Sequence, residues 1–382
     1  MDVQATEVFL RFFTTLKDPR RHNRRHLLGD ILTITILAVL CNSDNWVQVV
    51  LWSRVNQEFL QSFLALPNGL PSVDTYRRLF QRIDPQAFET CFMDWTRAVA
   101  GALPEQVAVD GKALRRSFTR AWEKQGMIHL VSAWAVDHQL LLGQLATDSK
   151  SNEITAIPRL LDLLNLKGAL VTIDAAGCQT AIAAKIVEKE ADFLLAVKDN
   201  QPTLAAKVEA VMRDVVLDLS KGRPASCAYD EQTNGGHGRI ETRRVWASDE
   251  VAGLGPELLA QWPQVKSLVM VESRRQDLSD PSGKVSVETR LYISSVSGCD
   301  ARRLGQAARG HWGVENQLHW RLDVSFGEDD SRLRVGHGAE NFSRVRRIVL
   351  NKLKADPSSK SVAAKRYQCS IDRPYLLQIL RD

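Results

Sequence analysis

Three acidic residues of the sequence are spaced so that they could share a metal site. Asp110 and Asp174 each end a short apolar run, "VAVD" and "LVTID", and Glu315 lies in the middle of "HWGVENQLHW". If the two runs are neighbouring strands, their ends bring two carboxylates together, and close like charges repel unless a proton or a cation bridges them. For either aspartate alone, the start of a solvated turn is the alternative interpretation.

A helical pattern surrounds Glu315. Steps of three and four residues along it give Leu304, Ala308, His311, Glu315, Leu318 and Leu322. The pattern predicts that Glu315 lies in the apolar stripe of the helix and not on its solvated face. A buried carboxylate needs compensation, and two interpretations stay open: a structural partner such as Arg309 or His311, or a metal shared with the two aspartates.

The histidines of this motif do not form a zinc site. His311 and His319 are eight residues apart, which is about 12 Å along a helix axis, whereas each ligand nitrogen must lie about 2 Å from zinc. Neither a thiolate pair nor an HExxH pattern accompanies them. Trp312 and Trp320 are predicted to pack against the sheet that carries the aspartates, and not to stack on bases, because an indole buries a large area.

The types of these residues limit the metal and the reaction. Three carboxylates without a thiolate favour a hard cation, Mg²⁺ or Mn²⁺. Two such ions about 4 Å apart can activate an attacking oxygen and stabilise the leaving oxygen of a phosphodiester. The predicted chemistry is therefore phosphoryl transfer on nucleic acid.

The elements that must position the acids change in type along the chain. Residues 1–100 have helical periodicity, with Ser72 as a predicted N-cap, and are interpreted as an N-terminal helical domain. Residues 101–382 alternate short apolar runs with helical patterns, which indicates a mixed sheet with helices packed on it. Within them, residues 203–300 contain a helix and strand-like runs, which are interpreted as a β-rich insertion.

Composition limits the class of protein. The chain has 382 residues, 44% of them hydrophobic and 25% charged, as in ordinary globular proteins, and its net charge of +5 permits nucleic acid as a partner. Six cysteines without a CxxC pattern fit a reducing compartment. The longest apolar run, "LLGDILTITILAVL", is shorter than the ~20 residues of a membrane helix and contains Asp30. We therefore expect a cytoplasmic protein without a membrane partner.

The motifs that carry these residues resemble those of a known family. In chain order they are "DPRRHNRRHLLGDILTITILAVLC", "LPNGLPSVDTYRRLF", "VAVDGKALRRSF", "KSNEITAIPRLL", "TIDAAGCQTAIAAKI", "LLAVKDNQPTL", "GHGRIETR" and "HWGVENQLHWRLDVSFGEDDSR". The chain resembles, over nearly its whole length, the DDE transposases of bacterial insertion sequences, specifically the ISAs-type group that includes the H-repeat-associated proteins. Eight motifs in one order are far more specific than three isolated acids.

The resemblance implies a fold and a reaction. The fold would be α/β, with an RNase H-like mixed sheet, flanking helices, a β-rich insertion and an N-terminal helical domain, residues 1–100, that binds DNA ends. Asp110, Asp174 and Glu315 would form the catalytic triad and hold Mg²⁺ or Mn²⁺, as two ions. The enzyme would cut double-stranded DNA at transposon ends and join the freed 3′-hydroxyl to target DNA, as a homodimer on DNA in the bacterial cytoplasm and nucleoid.

The chain departs from a related branch of these enzymes beside the glutamate. That branch has an arginine where His311 stands and a lysine where Leu322 stands, so their phosphate-contact roles are not carried over. His311 is interpreted either as a support for Glu315 or as a DNA contact in place of the arginine. The residues expected to contact DNA are Lys112, Arg115, Arg116, Lys198, Asn200, Arg309, His311 and Arg321.

Other basic segments have two open interpretations. The loop "KDPRRHNRRH" could be solvated or could contact phosphates, and so could the basic face of "AENFSRVRRIVLNKLK". Two alternative functions also stay open: a DNA-binding protein derived from a transposase that has lost the chemistry, and a metal-dependent DNA nuclease without strand transfer.

Overall fold

The chain folds into two compact units. The computed structural model describes residues 9–20, 24–117, 127–147, 153–222, 226–236, 238–279, 283–298 and 300–381. One unit, here the sheet unit, comprises Leu103–Asp110 and Ile154–Val314, and the other, the helical unit, comprises Met1–Ala102, Gly111–Glu153 and Glu315–Asp382. Residues 21–23 of the predicted basic loop and Cys299 lie outside the described residues.

Nine described strands form one sheet in the order β3-β2-β1-β4-β5-β9-β8-β7-β6. Their bounds are β1 Gln106–Ala113, β2 His129–Ala135, β3 Leu140–Thr147, β4 Leu170–Ile173, β5 Asp192–Val197, β6 Cys227–Gly236, β7 Arg239–Ser248, β8 Ser267–Asp277 and β9 Val285–Ser294. The pairs β1–β4 and β4–β5 are parallel, whereas β2–β3, β5–β9, β8–β9, β7–β8 and β6–β7 are antiparallel. The sheet is therefore mixed.

In the sheet unit, helices pack on strands that are apolar because they are buried. All four residues of β4 are buried, as expected for a parallel strand covered on both faces. The helices of this unit are α6 Glu153–Leu163, whose first residue belongs to the helical unit, α7 Thr180–Glu188, α8 Pro202–Ser220, α9 Pro256–Gln261 and α10 Ala301–His311. Apolar residues of α10, among them Leu304 and Ala308, pack against Leu170, Val245 and Tyr292 of the sheet.

The predicted α/β class is confirmed: over the described residues the chain has a large mixed sheet flanked by helices. The strand-like runs predicted between 203 and 300 do form strands, but they continue the same sheet because β9 pairs with β5 through Leu195↔Ile293. Strand β6 was not predicted, because its "CAYDEQTNGG" lacks an apolar run.

The helical unit contains the predicted N-terminal helices and the helices at the end of the chain. Its helices are α1 Leu28–Leu40, α2 Trp46–Val55, α3 Gln57–Gln61, α4 Val73–Phe80, α5 Pro85–Ala100, α11 Trp320–Phe326, α12 Gly338–Ala355, α13 Val362–Ile371 and α14 Arg373–Arg381. Ser72 caps α4 as predicted, since its side chain accepts a hydrogen bond from the Thr75 amide. Phe342 of α12 packs edge-to-face on Trp46, with ring centroids 4.6 Å apart. None of the described helices is both long and apolar enough to cross a membrane.

Candidate active site

Asp110 and Asp174 lie at the carboxyl ends of two neighbouring parallel strands. The residues that precede them, Val109 and Ile173, are register partners in the β1–β4 ladder. Neighbouring strands are about 4.8 Å apart, so the sheet brings the two aspartates side by side, as the sequence predicted. Asp110 is half-buried and Asp174 is exposed, and Asp174 also caps the short turn after β4 by accepting from the Gly177 amide at 3.3 Å.

His311, the last residue of α10, lies close to this pair of aspartates. Its Nδ1 is 3.2 Å from Thr172 Oγ1, on the strand that ends at Asp174. Burial lowers the pKa of His311, although the Asp110 and Asp174 carboxylates act in the opposite direction. A neutral imidazole at pH 7 follows, because the ordinary pKa of histidine is already below 7.

Gln106 connects α10 to the same strand. Its Nε2 donates to Ala307 O at 2.8 Å and to Thr172 Oγ1 at 3.3 Å. A Cβ on Gly310 would lie 2.6 Å from Gln106 Oε1, so a larger residue there would displace the Gln106 amide from these contacts. These contacts fix the end of α10, and with it His311, beside the aspartate-bearing strand ends.

Glu315 belongs to the helical unit and begins a π-helical turn, Glu315–His319. The prediction that it lies in the apolar stripe of a continuous helix is wrong: α10 ends at His311, and Glu315 is exposed. The π turn is wider than an α turn, so the 3.6-residue spacing that predicted burial does not continue through it. Neither Arg309 nor His311 pairs with Glu315 among the described residues.

The structure assigns the three acids to different units, with Asp110 and Asp174 in the sheet unit and Glu315 in the helical unit. Over the described ranges, no group of three histidine, cysteine, aspartate or glutamate residues is arranged to hold a metal ion. What the structure brings together is therefore the aspartate pair and His311.

The tryptophans on either side of Glu315 are exposed. Trp312 is 40% and Trp320 is 49% exposed, so neither indole is buried as the predicted anchor would be, although Trp312 does contact Arg290 of β9 in the sheet. An arginine stacks on each indole. The guanidinium carbon of Arg290 lies 4.2 Å from the Trp312 ring centroid, and the guanidinium carbon of Arg321 lies 4.8 Å from the Trp320 ring centroid.

The basic residues after Asp110 face an acidic turn, Glu328–Asp330. Lys112 Nζ lies 3.4 Å from Glu328 Oε2, Arg115 Nε lies 3.1 Å from Asp329 Oδ2, and Arg116 Nη1 lies 3.1 Å from Asp330 Oδ1. Lys112 is buried, with 9% of its side chain exposed, whereas the exposed fractions are 77% for Arg115 and 45% for Arg116. The side chains of both arginines are therefore accessible from solvent and can contact a phosphate without a change in the fold.

The other residues predicted to contact DNA differ in accessibility. Lys198 and Arg309 are exposed, and Arg321 is half-buried against Trp320. Asn200 is exposed, and its amide donates to Ala175 O in the turn after Asp174 at 2.5 Å. In the predicted basic loop, Arg20 and Arg24 pair with Asp18.

The basic residues of α12 are buried except for Lys354, which is half-buried, and this corrects both interpretations of that segment. Arg344 Nε donates to Glu89 Oε2 at 2.6 Å, Arg347 Nη1 donates to Glu328 Oε1 at 2.7 Å, and Lys352 Nζ donates to Leu380 O at 2.7 Å. A side chain that is bonded inside the unit presents neither a solvated face nor a DNA-tracking one.

Glu153, the first residue of α6, lies beside the residue that follows Asp110, which the sequence alone did not indicate. A Cβ on Gly111, the residue after Asp110, would lie 2.7 Å from the Glu153 carboxyl carbon. The same carboxylate contacts His129 Nδ1 at 3.3 Å. The only signals available beforehand were the glycine in "VDGK" and the glutamate in "KSNEITAIP".

Comparison with known proteins gives consistent matches along the chain. Residues 101–352 match the family described as "Transposase DDE domain", and residues 10–96 match the family described as "DDE_Tnp_1-associated". The chain is 37% identical over 357 residues to the "H repeat-associated putative transposase YhhI" of Escherichia coli (strain K12), covering 93% of this chain and 92% of that protein.

Two further similarities cover the whole chain or nearly so. The chain is 38% identical over 386 residues to the "Putative transposase YncI" of Escherichia coli O157:H7, covering 100% of this chain and 95% of that protein. A cryo-EM structure of a piggyBac transposase synaptic complex with hairpin DNA is similar over 99% of this chain and 77% of its own, with a TM-score of 0.39 and 10% identity. The sequence similarity therefore extends over the N-terminal helices and the acid-bearing region alike.

Proposed function

Because the chain belongs to the bacterial DDE transposases of the H-repeat family, we propose that it cuts DNA at the ends of an insertion sequence and transfers the cut strands to target DNA. The observation that carries the proposal is the placement of Asp110 and Asp174 at the ends of neighbouring parallel strands, in a chain that matches the family over residues 101–352. Glu315 completes the proposed triad.

The proposed site fits a divalent metal by its donors. Carboxylate oxygens are the ligands that Mg²⁺ and Mn²⁺ prefer, and Asp174 is exposed beside a half-buried Asp110. Asp110, Asp174 and Glu315 would hold two ions, which supply activation of the attacking oxygen and stabilisation of the leaving oxygen.

The chain's own residues position the DNA. His311, neutral and bonded to Thr172, orients the aspartate-bearing edge and offers no positive charge to a phosphate. Among the residues predicted to contact DNA, Arg115, Arg116, Lys198 and Arg309 are the exposed cations, and we assign the phosphate contacts to them. Asn200 and Arg321 are further proposed DNA contacts, and the proposed assembly is a homodimer that holds two double-stranded ends.

The test uses the full chain, a DNA fragment with the terminal inverted repeats of the element, and Mg²⁺ or Mn²⁺. End cleavage followed by joining to a second DNA is the expected result. Cleavage without joining would instead show that the protein is a nuclease without strand transfer. Binding without cleavage would show that it is a DNA-binding protein derived from a transposase.

Single variants assign the acids. Asp174→Asn should reduce cleavage by at least 10³-fold while DNA binding stays within about twofold, because the amide cannot hold the cation as a carboxylate does. Asp199→Asn is the matched control, since Asp199 is an exposed aspartate just beyond the end of β5. Full cleavage by Asp174→Asn, or equal loss in Asp199→Asn, would refute the triad.

A further inference from the structure

Strand β7 contains part of the motif "GHGRIETR", to which none of the roles proposed above applies. Side chains of a strand alternate between the two faces of its sheet, so Glu241 and Arg243 lie on the same face as Val245. Val245 packs with residues of α10 in the apolar core of the sheet unit. Glu241 and Arg243 therefore lie on the face of the sheet that α10 covers, here the α10 face.

Arg275, Glu288 and Arg290 lie on the α10 face of the neighbouring strands β8 and β9. Arg275 is the register partner of Glu241, and Arg290 is the register partner of Val271, whose side chain packs in the same apolar core. Glu288 lies two residues before Arg290 in β9, so its side chain is on the same face. Three adjacent strands thus bring three arginines and two glutamates together.

The two carboxylates are shared among the three arginines. Glu241 accepts from Arg243 Nη2, and it accepts from Arg275 Nε at 2.9 Å. Glu288 accepts from Arg290 Nε at 2.9 Å and lies 3.8 Å from Arg275 Nη1, which is too far for a hydrogen bond. Each guanidinium group has five N–H donors, so two carboxylates cannot engage them all.

Arg309, in the last turn of α10, adds a fourth guanidinium group to these three. It is exposed, and its charge acts on both members of the β7 pair. Burial raises the pKa of Glu241, but Arg275, Arg243 and Arg309 together hold that pKa below its usual value. Burial lowers the pKa of Arg243, and although Glu241 opposes this, Arg309 and Arg275 lower it further. We call Arg243, Arg275, Arg290 and Arg309 the arginine cluster.

The positive charge of the arginine cluster is incompletely compensated. Its four guanidinium groups face two carboxylates, and Arg243 Nη1 is buried and has no hydrogen-bond partner among the residues that the structure describes. Asp230, an acid on the same face of the neighbouring strand β6, accepts instead from Gln232 Nε2 at 3.0 Å. A buried donor without an acceptor is unfavourable, so a further anion would stabilise this cluster.

The arginines on the opposite face of the same strands are paired differently. Arg244 Nε donates to Glu231 at 2.9 Å, and Arg274 Nε donates to Glu272 at 3.0 Å. Each of these arginines has a glutamate of its own, unlike the members of the arginine cluster. Arg274 also adjoins Arg275 in β8 and is similarly exposed, at 47% against 43% of the side chain.

The arginine cluster lies next to the aspartate-bearing edge of the sheet unit. Arg290 stacks on Trp312, which directly follows His311. Burial lowers the pKa of His311, the Asp110 and Asp174 carboxylates raise it, and Arg290 lowers it, so all three charged groups act on one imidazole. His311 therefore lies between the cluster and the two aspartates, within a single unit.

We propose that the arginine cluster binds backbone phosphates of the DNA whose scissile bond lies at the two aspartates. Arg275 and Arg309, which are exposed, make the contacts, and Glu241 orients Arg275 through its Nε. The proposal rests on the function proposed above and extends the phosphate contact of Arg309 to the strands beside it. Phosphate contacts carry no sequence information, so the cluster should bind end DNA and unrelated DNA alike.

The experiment compares Arg275→Met with Arg274→Met, the matched control on the opposite face, in the full chain and without divalent metal. Fluorescence anisotropy measures the affinity for an end-DNA duplex and for an unrelated duplex of equal length over a series of KCl concentrations. Arg275→Met should weaken the binding of both duplexes about tenfold, as expected for a lost hydrogen bond to a charged group. It should also lower the slope of log K against log salt by about 0.9, because one phosphate contact is lost. Arg274→Met should keep the wild-type slope.

A double variant and a second substitution keep the test decisive. Arg275→Met combined with Arg309→Met should lower the slope by about 1.8, twice the loss for one phosphate. A double variant with the slope of Arg309→Met alone would overturn the proposal. If Arg275→Met does not fold, Arg275→Gln, which keeps a donor for Glu241, must show the smaller slope.

Three further results would overturn the proposal. An unchanged slope in Arg275→Met would show that Arg275 contacts no phosphate. Equal losses in Arg275→Met and Arg274→Met would show that only the net charge of the chain matters. Inorganic phosphate, titrated by calorimetry, tests a free anion as the ligand: binding that Arg275→Met abolishes, together with an unchanged DNA slope, would assign a free-phosphate site instead.

Failure of this proposal is distinguishable from failure of the proposed function. The cluster is tested by binding without metal, whereas the triad is tested by cleavage in Asp174→Asn. A smaller slope in Arg275→Met with retained cleavage in Asp174→Asn would support the cluster and refute the triad. An unchanged slope in Arg275→Met with cleavage abolished in Asp174→Asn would do the reverse.

Discussion

Glu328 should be among the costliest single residues to neutralise in the helical unit. Its carboxylate is fully buried and lies among three buried cations: Arg347 at 2.7 Å, Lys112 at 3.4 Å and Arg346 at 4.0 Å. Glu328→Gln keeps the shape and removes the charge, so these cations stay buried without an anion. Removing one partner of a buried ion pair costs about 3–5 kcal/mol of unfolding free energy, and we expect that range.

Denaturant unfolding of wild type and variant, followed by circular dichroism, measures this cost. Asp330→Asn is the matched control in the same turn: its side chain is 78% exposed and pairs with Arg116 at 3.1 Å, and exposed pairs contribute only about 0–1 kcal/mol. A cost below about 1 kcal/mol for Glu328→Gln, or equal costs in the two variants, would refute the assignment of Glu328 as the anion of the cluster.

The same carboxylate makes the stability of the helical unit depend on pH under acidic conditions. Burial by itself would raise the pKa of Glu328, but Arg347, Lys112 and Arg346 together hold that pKa well below its usual 4.5. Its contribution is therefore present above the unfolded-state pKa near 4.5 and is lost as pH falls towards the folded-state value. Between pH 5 and pH 3, Glu328→Gln should lose less stability than wild type, and parallel curves would contradict this.

Two other substitutions test contacts near the site. Gly111→Ala should cost about 1 kcal/mol of unfolding free energy, because the added Cβ must displace the Glu153 carboxylate, whose carbon would lie 2.7 Å away, from His129. In the Glu153→Ala background this cost should vanish, and an unchanged cost there would exclude this cause. Burial, with Arg321 and Lys365 nearby, lowers the pKa of Lys354 from 10.5 to about 8. The charged form is thus disfavoured in the folded state, so wild type should gain stability over Lys354→Met as pH rises from 8 to 10.5, and a constant difference in chemical-unfolding free energy would refute it.

The strands that carry the aspartates could be predicted because the apolar composition of each run agrees with its buried place in the fold. The runs "VAVD" and "LVTID" are short, apolar and closed by a carboxylate, and only a buried parallel strand accommodates such a run without an exposed face. Adjacency of the two strands does not follow from either run, yet it is the simplest arrangement for parallel strands joined through helices. The register Val109↔Ile173 then places both aspartates at one edge.

The surroundings of Glu315 could not be predicted in the same way. Periodicity assumes one number of residues per turn, and the π turn from Glu315 to His319 changes that number locally. The burial predicted for Glu315 therefore fails, whereas Leu318 and Leu322, which the same stripe included, are buried. A helix pattern that places a charged residue in its apolar stripe is itself a signal that the assumed phase has failed.

The buried arginines show a second limit, which concerns partners and not periodicity. The pattern of α12 separates Phe342 and Val345 from Arg344 and Arg347, and a solvated basic face is the ordinary consequence. Whether that face is solvated depends on Glu89 and Glu328, and Glu89 is 255 residues from its partner Arg344 in sequence. Such partners become visible only when the chain is folded.

Because these cations are buried, the net charge of the chain is a poor guide to the number of cations that can contact DNA phosphates. A net charge of +5 counts every lysine and arginine equally, but Lys112, Arg344 and Arg347 are bonded to acids inside the helical unit. Only cations that reach phosphates release counterions, each contributing about 0.9 to the slope of log K against log salt. The salt slope of end binding should therefore follow the exposed arginines and lysines and stay insensitive to the basic residues of α12, whatever the net charge suggests.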